Sequence, residues 1–255
     1  MTSPSSPDWF TQAIDTPYRE NFIQHNGCNI HYQTWGDRKK PGLLFLHGNG
    51  AHGHWWDFIA PSFADDYHVV AFTLSGMGDS GHRESYSSTQ YSHEIKAVCD
   101  AVNFIDKPLL IGHSMGGRLV FNAEQLFPDA FYGVIMADSP FHHPDTKFDF
   151  ANRLGMDVKP HRVYEKLEDG INRFRLSPKQ ECENKYIMEY IAKHSMQAVQ
   201  GGWQWKFDPV TYIKMDYENF LSTQIEPGNK VLALIYGEDS ILFSEDRLAY
   251  NKEVF

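Results

Sequence analysis

Residues 109–120 read LLIGHSMGGRLV: an apolar run from Leu109 to Ile111 meets a serine flanked by glycines, then residues with helical spacing. A short apolar run closed by glycine reads as a strand buried on both faces. Gly112-His113-Ser114-Met115-Gly116 therefore fits the G-x-S-x-G pattern in its confirming context, strand before and helix after. Turning from strand to helix within a few residues forces the serine into a strained backbone, and the two glycines let neighbouring elements approach closely. The hydroxyl is left above the sheet, at the start of a helix whose dipole favours developing negative charge. Ser114 is the candidate nucleophile.

Outward from this turn, the chain alternates. Before it, NIHYQTWG, GLLFLHGNG and YHVVAFTLSGMGDSG read as strands, HWWDFIAPSFA has helical apolar spacing, and Ile95, Val98, Cys99 and Val102 recur at helical intervals. After it come the helix GGRLVFNAEQLF, the strand FYGVIMADSP and, much later, the strand KVLALIYGEDS with the helix SEDRLAYNKEVF. This is the pattern of a mostly parallel sheet with crossover helices on both faces, an α/β class. Residues 141–229 break the pattern with helix formers, aromatics and charges, and read as a helical lid inserted into a core formed by 1–140 and 230–255.

At 255 residues there is ample volume for one large core with an insertion. A formal net charge of -10 argues against nucleic acid or an anionic membrane as partner and leaves a small-molecule substrate as the expected one. The oligomeric state is left open. Cys28, Cys99 and Cys182 form no CxxC pair, and no signal segment or long apolar span is seen, so a reduced, cytoplasmic setting is expected. His142-His143-x-Asp145 is rejected as a metal site because adjacent histidines on a strand-end loop point apart; neither metal nor cofactor is expected.

His47-Gly48-Asn49-Gly50, SGMGDSG, GHSMGG and a strand ending in Tyr236-Gly237 occur in the order of four landmarks of the α/β-hydrolase family. The chain resembles that family over about 29–140 and 230–255. The resemblance implies Ser114 as nucleophile and the backbone N–H groups of Met115 and Asn49 as the oxyanion hole. His113 and His47 are read as packing or loop-fixing residues. The family's acid usually lies three residues after the strand-ending glycine, where this chain has Ser240; Asp239 stands one residue early, and Asp138 ends the preceding strand. Both stay open as the acid.

The resemblance also implies a histidine after the acid. None of the 13 histidines follows Asp239, so the sequence predicts a C-terminally truncated chain, with the last strand and helix absent and the base beyond Phe255. Two alternatives are a base from the insertion (His142, His143, His161 or His194) and a chain without catalysis. Trp55, Trp56, Trp203 and Trp205, with Phe174 and Phe207, are candidates to line a substrate pocket, and Arg173, Arg175 and Lys206 to clamp a carboxylate. The implied activity is hydrolysis of a small carboxylic ester or thioester through an acyl-enzyme. A serine in place of a carboxylate disfavours dehalogenase and epoxide-hydrolase chemistry. Carbon–carbon bond hydrolysis, a cofactor-free haloperoxidase and a non-catalytic ligand-binding member are the rivals.

Overall fold

The computed structural model describes residues 6–143, 160–212, 215–216 and 231–254. Seven strands form the central sheet: β1 (Arg19–His25), β2 (Cys28–Trp35), β3 (Gly42–Leu46), β4 (His68–Phe72), β6 (Leu109–His113), β7 (Gly133–Ala137) and β11 (Val231–Ile235). Their order is β1-β2-β4-β3-β6-β7-β11. The first two pairings are antiparallel and the other four parallel. Every residue of β3 and β4 is buried, as their continuous apolar runs require of strands covered on both faces.

Helices α2 (Ser88–Val102) and α3 (Met115–Leu126) supply one cover. Ser87 caps α2 by accepting a hydrogen bond from the Gln90 N–H at 3.1 Å, and Asn103, at φ 55°, ends it in a left-handed conformation. Ile95, Val98, Cys99 and Val102 are buried on its inner face and join Leu119, Val120 and Ala123 of α3 in the larger apolar cluster. A second cluster, on Trp35, Leu43, Phe45, Trp56 and Val69, carries the 53–63 segment. That segment departs from the expected helix: it forms two short 3-10 turns, Gly53–Trp56 and Ala60–Phe63. Gly53 and Pro61 interrupt what the apolar spacing suggested.

The inserted region is not wholly helical. Its described part holds α4 (Leu167–Ile171), α5 (Lys185–His194), a hairpin of β8 (Met196–Val199) and β9 (Gly202–Trp205), and β10 (Met215–Asp216), which pairs in parallel with β5 (Tyr86–Ser87). The expected lid boundary near 229 lies outside the described residues. Two elements were not anticipated in the sequence, helix α1 (Asp8–Ile14) and strand β1. The last described element is α6 (Glu245–Val254). Among the described residues, no helix is long and apolar enough to cross a membrane.

Candidate active site

The turn between β6 and α3 is as tight as the sequence demands. Ser114 has φ 53° and ψ -121°, a conformation L-residues rarely hold unless the surroundings enforce it. The enforcement is steric and local. A Cβ at Gly112 would lie 2.2 Å from the Gly116 carbonyl oxygen, and one at Gly116 would lie 2.4 Å from that of His47. Only glycine lets α3 start this close to the end of β3. The Ser114 N–H donates to the Ala137 carbonyl at 2.9 Å, which ties the turn to β7.

The loop after β3 sits directly against this serine, for a Cβ at Gly48 would be 3.2 Å from Ser114 Cβ. His47 holds the loop. Its Nδ1–H donates to the Gly48 carbonyl at 2.7 Å, and its Nε2 accepts from the Leu74 N–H at 3.1 Å, which fixes the neutral tautomer. Burial pushes this imidazole down to about 4. Asn49 lies in the turn that follows, and Met115 opens α3, where the first N–H groups have no intrahelical acceptor. Among the described residues, neither of these two N–H groups is hydrogen-bonded, nor is the Ser114 hydroxyl. The Ser114 hydroxyl and these two N–H groups are thus without partners where the loop after β3 meets the turn into α3.

The two candidate acids are placed differently. Asp138 follows β7, one strand from the elbow, at φ 48°, and its N–H donates to the Ile235 carbonyl at 2.7 Å. Its Oδ2 accepts a 2.8 Å hydrogen bond from Ser240 Oγ, and its Oδ1 is buried without a partner. Asp239 is exposed on the loop. The hydroxyl at the family's usual acid position therefore braces the carboxylate of the neighbouring strand.

All 13 histidines lie among the described residues, and none is hydrogen-bonded to Ser114. His113 is buried beside the oxyanion loop, and burial holds it below the ordinary imidazole value. His161 Nε2–H donates to the Phe207 carbonyl at 2.6 Å, and His143 packs on Tyr250. Burial, aided by Arg247 and Arg118, lowers His142 to about 4. His194 lies in α5, its ring centroid 4.4 Å from that of His54.

The aromatic candidates also separate. Trp56 stacks on Phe45 at 4.8 Å within the second apolar cluster, packing that accounts for it without a ligand. Trp55 is half-buried. Trp203 and Trp205 lie on β9; Trp203 exchanges backbone hydrogen bonds with Tyr164, and Trp205 packs near Phe174 and Tyr164. Of the proposed cationic clamp, Lys206 is engaged otherwise, donating to Asp79 Oδ1 at 2.5 Å.

Sequence reasoning missed a second polar centre above β2. His54 Nδ1–H donates to Asp57 Oδ2 at 2.7 Å, Gln33 and Tyr190 donate to the same carboxylate, and His54 Nε2 faces Asp79 Oδ2 at 3.6 Å. Burial alone would lower His54, but its contacts with Asp57 and Asp79 outweigh this and raise it to about 9. Burial holds His31 below its ordinary value, with Asp79 the foremost charge opposing. From β2 to β6 are three strand spacings, about 14 Å. His31 on β2 is thus set apart from β6, whereas His54 and Asp79 stand on the loops after β3 and β4.

A family model described as the alpha/beta hydrolase fold matches residues 41–185. The chain is 31% identical over 134 residues to mouse "Epoxide hydrolase 4", a match covering 51% of this chain and 36% of that protein. It is 22% identical over 228 residues to the zebrafish "Serine hydrolase-like protein", covering 85% of this chain and 68% of that one. The chain thus spans little more than a third of the epoxide hydrolase it matches. Among solved structures, the thioesterase domain from the curacin biosynthetic pathway superposes with a TM-score of 0.75 at 24% identity, covering 94% of this chain and 90% of that one.

Proposed function

The chain belongs to the α/β hydrolase fold family, and from that premise we propose that it is a serine hydrolase cleaving a small carboxylic ester or thioester. Ser114 Oγ attacks the acyl carbon, the N–H groups of Met115 and Asn49 hold the oxyanion, and the acyl group passes to the serine as the alcohol or thiol leaves. Asp138 is the acid in this reading. Its Oδ2 is held by Ser240, and its partnerless Oδ1 is the atom free to accept from an imidazolium. An imidazole presented there takes the Ser114 proton and returns it to the leaving group. Asp239, exposed on its loop, has no such role. The half-buried Trp55 of the core, with Trp203 and Trp205 of the lid proposed at 141–229, remain proposed pocket residues.

The observation that carries the reading is Ser114 itself, at φ 53° with an unengaged hydroxyl beside two unengaged N–H groups. Opening an epoxide through an alkyl-enzyme needs a carboxylate where this chain has a serine, so the names of some relatives are not carried over. A panel of aryl esters, acyl thioesters, epoxides and carbon–carbon diketones, assayed on the chain and on Ser114→Ala, tests the proposal. Ester or thioester turnover that vanishes in the variant supports it. Epoxide opening that survives the substitution overturns it, and diketone cleavage lost with Ser114 moves the reading to carbon–carbon hydrolysis.

A further inference from the structure

Side chains from four separate elements converge above β2: Glu20 of β1, His31 of β2, His54 of the first 3-10 turn and Asp79 of the loop after β4. We propose that Glu20, His31 and His54 bind one divalent transition-metal ion of the zinc type, with Asp79 beside His54 as an outer partner. Glu20, His31 and His54 each offer a ligand atom, and the three atoms lie within 4.8 Å of one another. His31 Nε2 is 3.1 Å from Glu20 Oε1, and His54 Nε2 is 3.6 Å from Asp79 Oδ2. Tetrahedral bonds of about 2.0–2.1 Å separate ligand atoms by about 3.3–3.5 Å, so the His31–Glu20 pair already lies near the required spacing.

The remaining atoms of these side chains are fixed in the way metal ligands require. His31 Nδ1 is hydrogen-bonded to Thr73 Oγ1 at 3.1 Å, His54 Nδ1–H donates to Asp57, and Asp79 Oδ1 accepts from Lys206. An ion would take Nε2 of each imidazole, displacing the proton that His54 carries toward Asp79 into solvent. Asp79 Oδ2 is buried with no hydrogen-bond partner, an expensive state for a carboxylate oxygen that a cation would relieve. The neighbouring group of His54, Asp57 and His194 is also compact. Asp57 is, however, already engaged by Gln33, Tyr190 and His54, which makes it an outer partner and not a ligand.

Such an ion is structural, clamping the β1–β2 hairpin to the loop that follows β3. The proposal is independent of the hydrolase reading. Its test is isothermal titration of the chelator-stripped 255-residue chain with Zn(II), and visible absorption with Co(II), on the unaltered protein, Glu20→Gln and His31→Asn. One equivalent bound, four-coordinate Co(II) bands, at least tenfold weaker binding in Glu20→Gln and none in His31→Asn are expected. Glu20 is half exposed, so that variant folds even if His31→Asn does not. No stoichiometric uptake by the unaltered chain, or uptake that Glu20→Gln leaves unchanged, overturns the proposal.

Discussion

The elbow at Ser114 and the polar centre around His54 are built on opposite principles. At the elbow the chemistry is carried by the backbone: a positive φ, free N–H groups and glycines that exclude any Cβ, with one neutral imidazole holding the loop. Around His54 it is carried by side chains: the carboxylates of Asp57 and Asp79, the cations His54 and Lys206, and the hydroxyl of Tyr190 from α5. Backbone geometry is fixed before any substrate arrives, which suits stabilising a charge that exists only in the transition state. A network of charges suits fastening pieces of chain together.

Substitutions at the acid give the largest separation between the two regions. With ester turnover in the presence of added imidazole as readout, Asp138→Asn is expected to give the largest loss, because its Oδ1 is the atom proposed to accept from the imidazolium. Asp239→Asn should stay within about twofold, and so should Asp57→Asn if the second centre takes no part in catalysis. Equal losses at Asp138 and Asp57 would erase the comparison.

Acid is expected to strain the elbow through His47. Its folded value of about 4 lies below the unfolded value of 6.5, so the unfolded chain takes up the proton first. The contribution, about 3 kcal/mol, is whole above pH 6.5 and is lost as the pH falls through about 4. Imidazole ¹⁵N shifts followed against pH check this directly: His47 should keep its Nδ1-protonated neutral form to near pH 4. Titration near 6.5 would mean the loop is not held as described.

Adding a methyl group at the elbow sharpens the steric half of the comparison. In Gly117→Ala the new Cβ would meet Ser139 Cβ at 2.5 Å, and a loss of about 1–3 kcal/mol is expected in urea unfolding. The smallest effect belongs to the charged fastening. Lys206→Met removes one partner of a partly exposed pair and should cost about 1 kcal/mol, chiefly by loosening the β8–β9 hairpin, which hydrogen exchange would register.

The same contrast explains what could be read in the sequence. Strands β3 and β4 announce themselves as apolar runs because both their faces are covered, β6, β7 and β11 are apolar runs though only partly covered, and GHSMGG stands out as contiguous residues. Strand β1, RENFIQH, lies at the sheet edge with a mostly exposed pattern, so no apolar run marks it. The β8–β9 hairpin was legible but overlooked: the two-residue loop Gln200-Gly201, with Gly201 at φ 90°, is a hairpin signal between Met196–Val199 and Gly202–Trp205. That Ser240 Oγ would hydrogen-bond Asp138 and not Asp239 was not legible in the sequence, because the two aspartates stand on different strands' ends. The centre at Glu20, His31, His54 and Asp79 has no spacing at all, because four elements contribute one residue each.

The central claim is that Ser114 forms the covalent intermediate, and mapping the site of a fluorophosphonate adduct by peptide mass spectrometry tests it most directly. The account predicts a single adduct on the peptide holding Ser114, its formation hastened by added imidazole and absent from Ser114→Ala. An adduct on another residue, or undiminished labelling of the variant, would contradict it.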